Sequence, residues 1–398
     1  MSPATLPGAP APTPPRHPPI EHDPLGDAGF EIRPVPLGKD DEGPFGYTLM
    51  IRTAATFQGL LGAAAQGAAD EGATAERVLH GGAFAAQRFV SAAREARPEE
   101  AATLDAQVRA ARPFVLYIHG WSDYFFQVHV ADFFNALGFD FCAVDLRKCG
   151  RSLRDGQTAT SIDSLADYAV EIEGAIAAMR GADGAERPPL IYAHSAGALT
   201  AVLWAADHPG RAAGLIGNSP WLEFHGGSAL RTLFAPLARG IADRAPRTKI
   251  LPQAHDFYAR AHRRDFGGQW DWHEAYKPAR GMPFPANTMA AVLDGHARVA
   301  AGLQLDIPVL VATSSRTSFS MRWRGDLMHA DTVLDVRSNA QRATQLGEHV
   351  SVVTIPGATH DIALSSIGPR RHFFQEIGQW LLESAGPAMA ARAGGFSD

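Results

Sequence analysis

The chain has 398 residues, 46% of them apolar and 20% charged, with 42 acidic against 36 basic side chains and a formal net charge of −6. That length fits one large α/β domain or two ordinary ones, and the mild acidity offers no basic stripe for a phosphate backbone, so a nucleic-acid partner is excluded. No run approaches the ~18 continuous apolar residues of a membrane span, and two cysteines, Cys142 and Cys149, make neither a disulfide scaffold nor a four-ligand zinc site.

Residues 1–24 hold nine prolines and almost no core-forming side chains. Such a segment cannot bury enough apolar surface to offset its ordering entropy, so a disordered tail is expected. It also lacks the apolar centre of a signal peptide, which predicts a cytoplasmic protein with no stable membrane insertion. Two β-like runs follow at 30–37 and 47–52, either side of a Gly/Asp/Pro cluster. Residues 54–112 are rich in Ala and Gly and predict two or three helices inserted ahead of the next strand.

From residue 113 the pattern is regular. Apolar runs (FVLYI, FDFCAVD, PLIYAH, AAGLIGNS, IPVLVATS, HVSVVTI) alternate with helical stretches. In the stretch 162–179, Ile162, Leu165, Ala169, Ile172, Ile176 and Met179 fall on one helical face. Strands apolar throughout and spaced by helices imply a mostly parallel sheet covered on both faces. Residues 221–303 break the rhythm with many aromatics, prolines and histidines and no clear strand, and predict a helical cap. On this division the core comprises 25–220 and 304–386, and 387–398 is a flexible tail.

Ala193-His194-Ser195-Ala196-Gly197 lies between the run PLIYAH and a helical stretch. A strand turning into a helix through small residues is the setting of a nucleophile elbow, with the serine backed by a helix N-terminus. A serine N-cap on an ordinary βα turn has the same local signature. A nucleophilic serine needs a base, and the base an orienting acid, in the chain order Ser, acid, His for this type of sheet. His360 stands out among 16 histidines because it follows the last strand run. The acid should follow PVLVATS, where Asp326, Asp331 and Asp335 are candidates and Asp331 is favoured. Two backbone N–H donors must hold a tetrahedral oxyanion. Ala196 supplies one and Trp121, after Gly120, the other. His119, Tyr124, His194 and Trp221 flank these groups and are expected to contact substrate.

Six pieces occur in one order: LYIHGWSDYFFQ (116–127), AVDLRKCGRS (143–152), YAHSAG (192–197), NSPWL (218–222), ADTVLDV (330–336) and ATHDIALS (358–365). With them the chain resembles the α/β-hydrolase superfamily, in its lysophospholipase and monoacylglycerol-lipase-like group, also labelled serine aminopeptidase S33. The resemblance covers about 110–384. It implies Ser195 as nucleophile, Asp331 as acid and His360 as base, and a structural turn at DLRKCGRS in which Cys149 packs rather than reacts. The helical segment 54–112 and the stretch SSRTSFSMRWRGDLMH ahead of Asp331 depart from the pattern.

The expected function is hydrolysis of a small-molecule carboxylic ester, lipid-like in its acyl part, through an acyl-enzyme. No cofactor or metal is called for, because the neighbouring base activates the nucleophile. There is no dinucleotide fingerprint, P-loop or H-E-x-x-H. His262 and His273, with Asp265, Asp271 and Glu274, lack metal-ligand spacing and suit a polar lid surface better. An aminopeptidase would need cap carboxylates such as Glu223 or Glu274 turned inward, and a third reading is a catalytically inactive relative that binds ligand. Ten large apolar residues of the cap are candidates to hold an acyl chain: Trp221, Leu222, Phe224, Leu233, Phe234, Phe257, Tyr258, Trp270, Trp272 and Phe284.

Overall fold

The computed structural model describes residues 23–71, 113–251 and 255–388, with 95, 98–100, 102, 103 and 106. The Pro-rich tail up to residue 22, residues 72–94 of the Ala-rich segment and the C-terminal tail from 389 lie outside the described residues.

Strands β1 (Glu31–Asp40) and β2 (Gly43–Arg52) form an antiparallel hairpin, followed by helix α1 (Ala54–Glu71). Then come β3 (Phe114–Ile118), α2 (Val128–Ala136), β4 (Asp140–Asp145), α3 (Ala169–Ala178), β5 (Pro189–His194), α4 (Ala196–Asp207) and β6 (Gly214–Asn218). An excursion carries α5 (Gly227–Ala242), β7 (Lys249–Leu251), α6 (Phe257–His262) and β8 (Phe284–Pro285). The chain returns through α7 (Ala286–Ala301), β9 (Val309–Ser314), α8 (Val336–Ala343), β10 (Val350–Ile355) and α9 (Ile367–Trp380).

Eight strands make one sheet in the order β1-β2-β4-β3-β5-β6-β9-β10, parallel from β4 to β10, with β2 antiparallel to β4. Successive side chains of a strand point to opposite faces. In β3, Leu116 and Ile118 join Ile172, Ile176, Leu199 and Leu203 on one face, and Val115 and Tyr117 join Phe133, Phe134, Phe373 and Ile377 on the other. A strand buried on both faces has no polar alternation, which is why these strands read as unbroken apolar runs. Among the described residues no helix is long and apolar enough to cross a membrane.

Two elements differ from the sequence pattern. The helix expected over 162–179 begins as a 3₁₀ turn at Leu165–Tyr168, because the Ser164 hydroxyl accepts the Ala166 N–H at 3.2 Å and starts the helix there. Ile162 stands ahead of it, yet is buried in the same core. Within 221–303, where no strand is expected, β7 and β8 pair as a short antiparallel ribbon, too brief to leave an alternating pattern. Helix α7 packs into the main core, with Met289, Leu293 and Val299 buried in one cluster with Leu199 and Leu203.

The hairpin is pinned by Arg52, which is 2% exposed. Its guanidinium meets Asp132 Oδ1 at 2.5 Å and donates to Asn135 Oδ1 at 2.7 Å, both on α2. Breaking such a pair leaves a buried carboxylate uncompensated. Arg52→Met should therefore cost about 3–5 kcal/mol in denaturant unfolding, and Arg52→Met/Asp132→Asn should recover much of it. A single variant within about 1 kcal/mol of wild type would contradict this, since that is the worth of an exposed pair.

Candidate active site

Ser195 joins β5 directly to α4 with φ 52° and ψ −118°, a conformation that side-chain-bearing residues rarely adopt. Backbone bonds hold it there: Ser195 N–H donates to the Asn218 carbonyl at 3.1 Å, and Trp221 N–H donates to the Ser195 carbonyl at 3.1 Å. Two glycines make the turn possible. A Cβ on Gly197 would lie 2.1 Å from the His119 carbonyl oxygen, so only glycine lets α4 close on the loop after β3. A Cβ on Gly120 would sit 3.1 Å from Ser195 Cβ, which sets that loop against the serine.

His360 follows β10, and its Nε2 lies 3.0 Å from Ser195 Oγ. Its Nδ1 lies 2.9 Å from Asp331 Oδ2. The carboxylate accepts a hydrogen bond from Nδ1–H, so Nε2 is left to accept one from the serine hydroxyl. Asp331 is fully buried, and its Oδ1 accepts the N–H groups of Val333 and Leu334, both at 2.8 Å. Backbone bonds to Arg316 and Ser318 pin it, so the long stretch after β9 returns to the strand end before reaching Asp331. Asp326 is instead paired with Arg316 and Arg324 at the surface, and Asp335 caps α8 through the N–H groups of Arg337 and Ser338.

Ala196 is the first residue of α4, and the first N–H groups of a helix have no intrahelical acceptor. Trp121 N–H belongs to the peptide whose carbonyl, that of Gly120, takes a hydrogen bond from His119 Nδ1 at 2.7 Å. His119 Nε2 accepts the Leu146 N–H at 3.1 Å, which fixes that tautomer. In a trans peptide the Trp121 N–H points away from the held carbonyl. Ser122, next along, has φ 52° and accepts the Met282 N–H at 2.8 Å.

An open cavity of about 410 Å³ meets Ser195 and His360. His194 and Trp221, two of the four expected substrate contacts, line it together with Trp121 and with Phe224, Tyr258, Trp272 and Phe284. His119 and Tyr124, the other two expected substrate contacts, do not line it. Both nitrogens of His119 are used on the backbone, and the Tyr124 hydroxyl accepts the His273 N–H at 2.7 Å beneath the excursion. Leu222 is buried in the main core, Leu233 is exposed, and Trp270 donates to the Leu364 carbonyl at 2.7 Å. Phe234 packs on Phe224, and Phe257 stacks on His255.

Glu223 is buried but turned to Arg231 and Arg342, and Glu274 pairs with Arg263 at the surface. Neither lines the cavity. Among the described residues no three His, Cys, Asp or Glu side chains are grouped to hold a metal. His262 is buried, donating from Nδ1 to the Tyr258 carbonyl at 2.7 Å with Nε2 against the Thr359 hydroxyl at 2.9 Å, and burial lowers its pKa to about 4. Cys149 is buried, and burial pushes its thiol pKa up, away from reactivity.

Two site groups escaped the sequence reading. Lys277 reaches the cavity from the excursion and meets buried Asp123 at 2.6 Å, and its one trace is a lone lysine among the aromatics of 270–285. Asp361, next to His360, is fully buried and accepts the Asn218 amide at 2.7 Å. Both of its oxygens face the interior, because the Gln127 amide meets the other at 3.4 Å.

The sequence profile described as "Serine aminopeptidase, S33" matches residues 109–365, more than half of the chain. No curated protein matches the sequence. Among solved structures, the chain is similar to a soluble variant of monoglyceride lipase from Saccharomyces cerevisiae in complex with a substrate analog (18% identity, 68% of this chain and 86% of that one, TM-score 0.50). It is also similar to the monoacylglycerol lipase of Paleococcus ferrophilus (17% identity, 68% and 95%, TM-score 0.51). A protein of Agrobacterium vitis S4 aligns with more of it (12% identity, 89% and 99%, TM-score 0.50). At these identities the likeness is one of fold.

Asp361 makes a pH-dependent contribution. Burial alone would raise its pKa, but His194, the Asn218 amide and Lys277 outweigh burial and hold the carboxyl below its usual range. A folded pKa below the unfolded value of about 3.9 gives stability that is complete above that pH and lost as the pH falls through the folded value. Asp361→Asn should therefore lower the melting temperature at pH 7, with the gap to wild type closing on acidification below about pH 4. Melting curves from pH 7 to pH 3 test this, and a gap that stays constant or widens refutes it.

Proposed function

The chain belongs to the serine aminopeptidase S33 family, as a hydrolase of the α/β-hydrolase fold, and from that premise we propose that it cleaves carboxylic esters through an acyl-enzyme on Ser195. The observation that carries the reading is the continuous hydrogen-bonded chain from Ser195 Oγ to His360, 3.0 Å, and from His360 to Asp331, 2.9 Å. Ser195 Oγ attacks the ester carbonyl while His360 Nε2 takes its proton, and Asp331 steadies the imidazolium that forms. The N–H groups of Ala196 and Trp121 receive the oxyanion, at a helix N-terminus whose dipole favours negative charge. His360 then returns the proton to the leaving alcohol, and a water molecule releases the acyl group by the same steps in reverse order.

The substrate in this reading is a lipid-like acyl ester, and 221–303 is its cap. A cavity of about 410 Å³ falls in the range of small-molecule sites. Its aromatic wall suits an acyl chain, and two proteins of similar fold carry the name monoglyceride or monoacylglycerol lipase. The aminopeptidase alternative lacks support at the point where it needs it, because among the described residues no carboxylate lines the cavity to meet an N-terminal ammonium.

Ser195→Ala should reduce ester turnover about 10⁴–10⁶-fold and abolish labelling by a fluorophosphonate probe, with the melting curve preserved. Retention of a tenth of the activity would rule out this nucleophile. Asp331→Asn should impair turnover far more than Asp326→Asn or Asp335→Asn, since an amide steadies the wrong imidazole tautomer.

Burying each added methylene gains ~0.8 kcal/mol, so kcat/KM should rise up to about fourfold per carbon along p-nitrophenyl esters until the cavity is full. Rates highest on acetate would mean a small closed pocket. Faster cleavage of aminoacyl-p-nitroanilides would favour the peptidase.

A further inference from the structure

The cavity at Ser195 is one-sided in charge. The described residues lining it include Lys277, the exposed Arg280 and, beside His360, the rings of His194, His225 and His255, but no Asp or Glu. Burial holds His194 and His225 toward their neutral forms. Lys277, which is buried, and Arg280, which is exposed, therefore carry the positive charge of the lining.

The surroundings of Lys277 keep it oriented without using it up. Its Nζ contacts Asp123 Oδ1 at 2.6 Å, and Asp123 itself does not line the cavity. The Nζ also stands 4.7 Å from the ring centroid of Tyr258, 5.7 Å from that of Trp272 and 5.8 Å from that of Phe126. An ammonium has three N–H donors, and a ring face attracts the charge without supplying a lone pair. Donor capacity of the ammonium therefore remains beyond its contact with Asp123.

A second, independent observation lies beside it. The Tyr258 hydroxyl is shut off from solvent and has no hydrogen-bond partner among the described residues. Tyr258 lines the same cavity, with its ring centroid 6.5 Å from that of His360. Trp221 Nε1, on another wall, is also buried and unpartnered. Buried polar groups left unpaired are costly, and a ligand that accepts from them removes the cost. Donors and positive charge on a lining without Asp or Glu complement a ligand that is negative and rich in lone pairs.

We infer that Lys277 and Tyr258 form an anion-accepting subsite beside the triad, so that the ester this protein cleaves carries a carboxylate or phosphate group. The inference rests on the hydrolase reading for the word ester, whereas the subsite itself is a matter of binding. Binding is therefore measured in a Ser195→Ala background, where turnover plays no part. Calorimetry compares mono-p-nitrophenyl glutarate with p-nitrophenyl pentanoate, which differ by a carboxylate on the acyl side. A second pair, hexanoyl lysophosphatidate against monohexanoylglycerol, differs by a phosphate on the alcohol side.

The anionic member of at least one pair should bind about tenfold or more tightly than its neutral counterpart, the scale of a charge-assisted hydrogen bond. The pair that discriminates tells whether the charge belongs to the acyl or the alcohol part. Lys277→Met should bring the ratio close to one, and Lys277→Arg should keep part of it. Because Lys277→Met strands a buried carboxylate, Asp123→Asn/Lys277→Met repeats the measurement with both charges removed. Tyr258→Phe deletes a hydroxyl that has no partner in the described protein, so it should weaken anion binding severalfold without lowering the melting temperature. Equal binding within both pairs, or a preference that survives the loss of Lys277, overturns the subsite. Failure of the wild-type protein to label with fluorophosphonate overturns the hydrolase reading instead and leaves the binding comparison intact.

Discussion

The site depends on a backbone that cannot relax at Ser195. Its φ of 52° puts the side chain at the tip of a turn that β5 enters and α4 leaves without an intervening residue. Such a conformation costs on the order of 1–3 kcal/mol and persists only where the surroundings over-determine it. Here they do so from three sides: β6 accepts the serine N–H, the Trp221 N–H takes its carbonyl, and Gly197 lets α4 lie against the His119 carbonyl. A larger residue at 197 would push the helix, and with it the serine, away from His360.

The same economy governs the loop after β3. His119 looks from its position like a substrate contact, but it spends both nitrogens on backbone groups and thereby orients the Gly120–Trp121 peptide. Ser122 at φ 52° and Ser219 at φ 45° add two more rarely used conformations around the serine. Backbone strain gathers where direction matters, and burial of β3, β5 and β6 on both faces of the sheet keeps it from dissipating.

The excursion between β6 and α7 is tied to both working loops. Lys277 meets Asp123, Met282 N–H meets Ser122 and Phe284 stacks on Trp121 at 4.8 Å, all on the loop after β3. His262 meets Thr359, and Trp270 meets the Leu364 carbonyl, both beside His360. Apart from the Phe284–Trp121 stack these ties are buried or half-buried polar contacts, and they set the aromatic wall at a fixed height over Ser195 and His360. A cavity wall held this way presents the same groups to each incoming ligand, which is why the orphaned Tyr258 hydroxyl and the Lys277 ammonium have a defined geometry to offer.

What the sequence determined by itself was local and periodic. Apolar runs that do not alternate revealed the parallel strands, and the small residues around Ser195 revealed the elbow. The position of His360 after the last run singled it out among 16 histidines. Asp331 was favoured among three candidate acids, and the resemblance pointed to the same residue. Its place against His360 became visible only in the fold, where backbone bonds to Arg316 and Ser318 return the long stretch to the end of β9. The tertiary structure alone decided which aromatics of 221–303 line the cavity, because a helix or loop with apolar residues on several sides gives no internal sign of which side is covered. It alone brought Lys277 to Asp123 across 154 positions of sequence, and it alone turned Glu223 away to its arginines. The physical reason is one of range: hydrogen-bonded periodicity is written in neighbouring residues, whereas a charge acts on whatever the fold brings within a few ångströms of it.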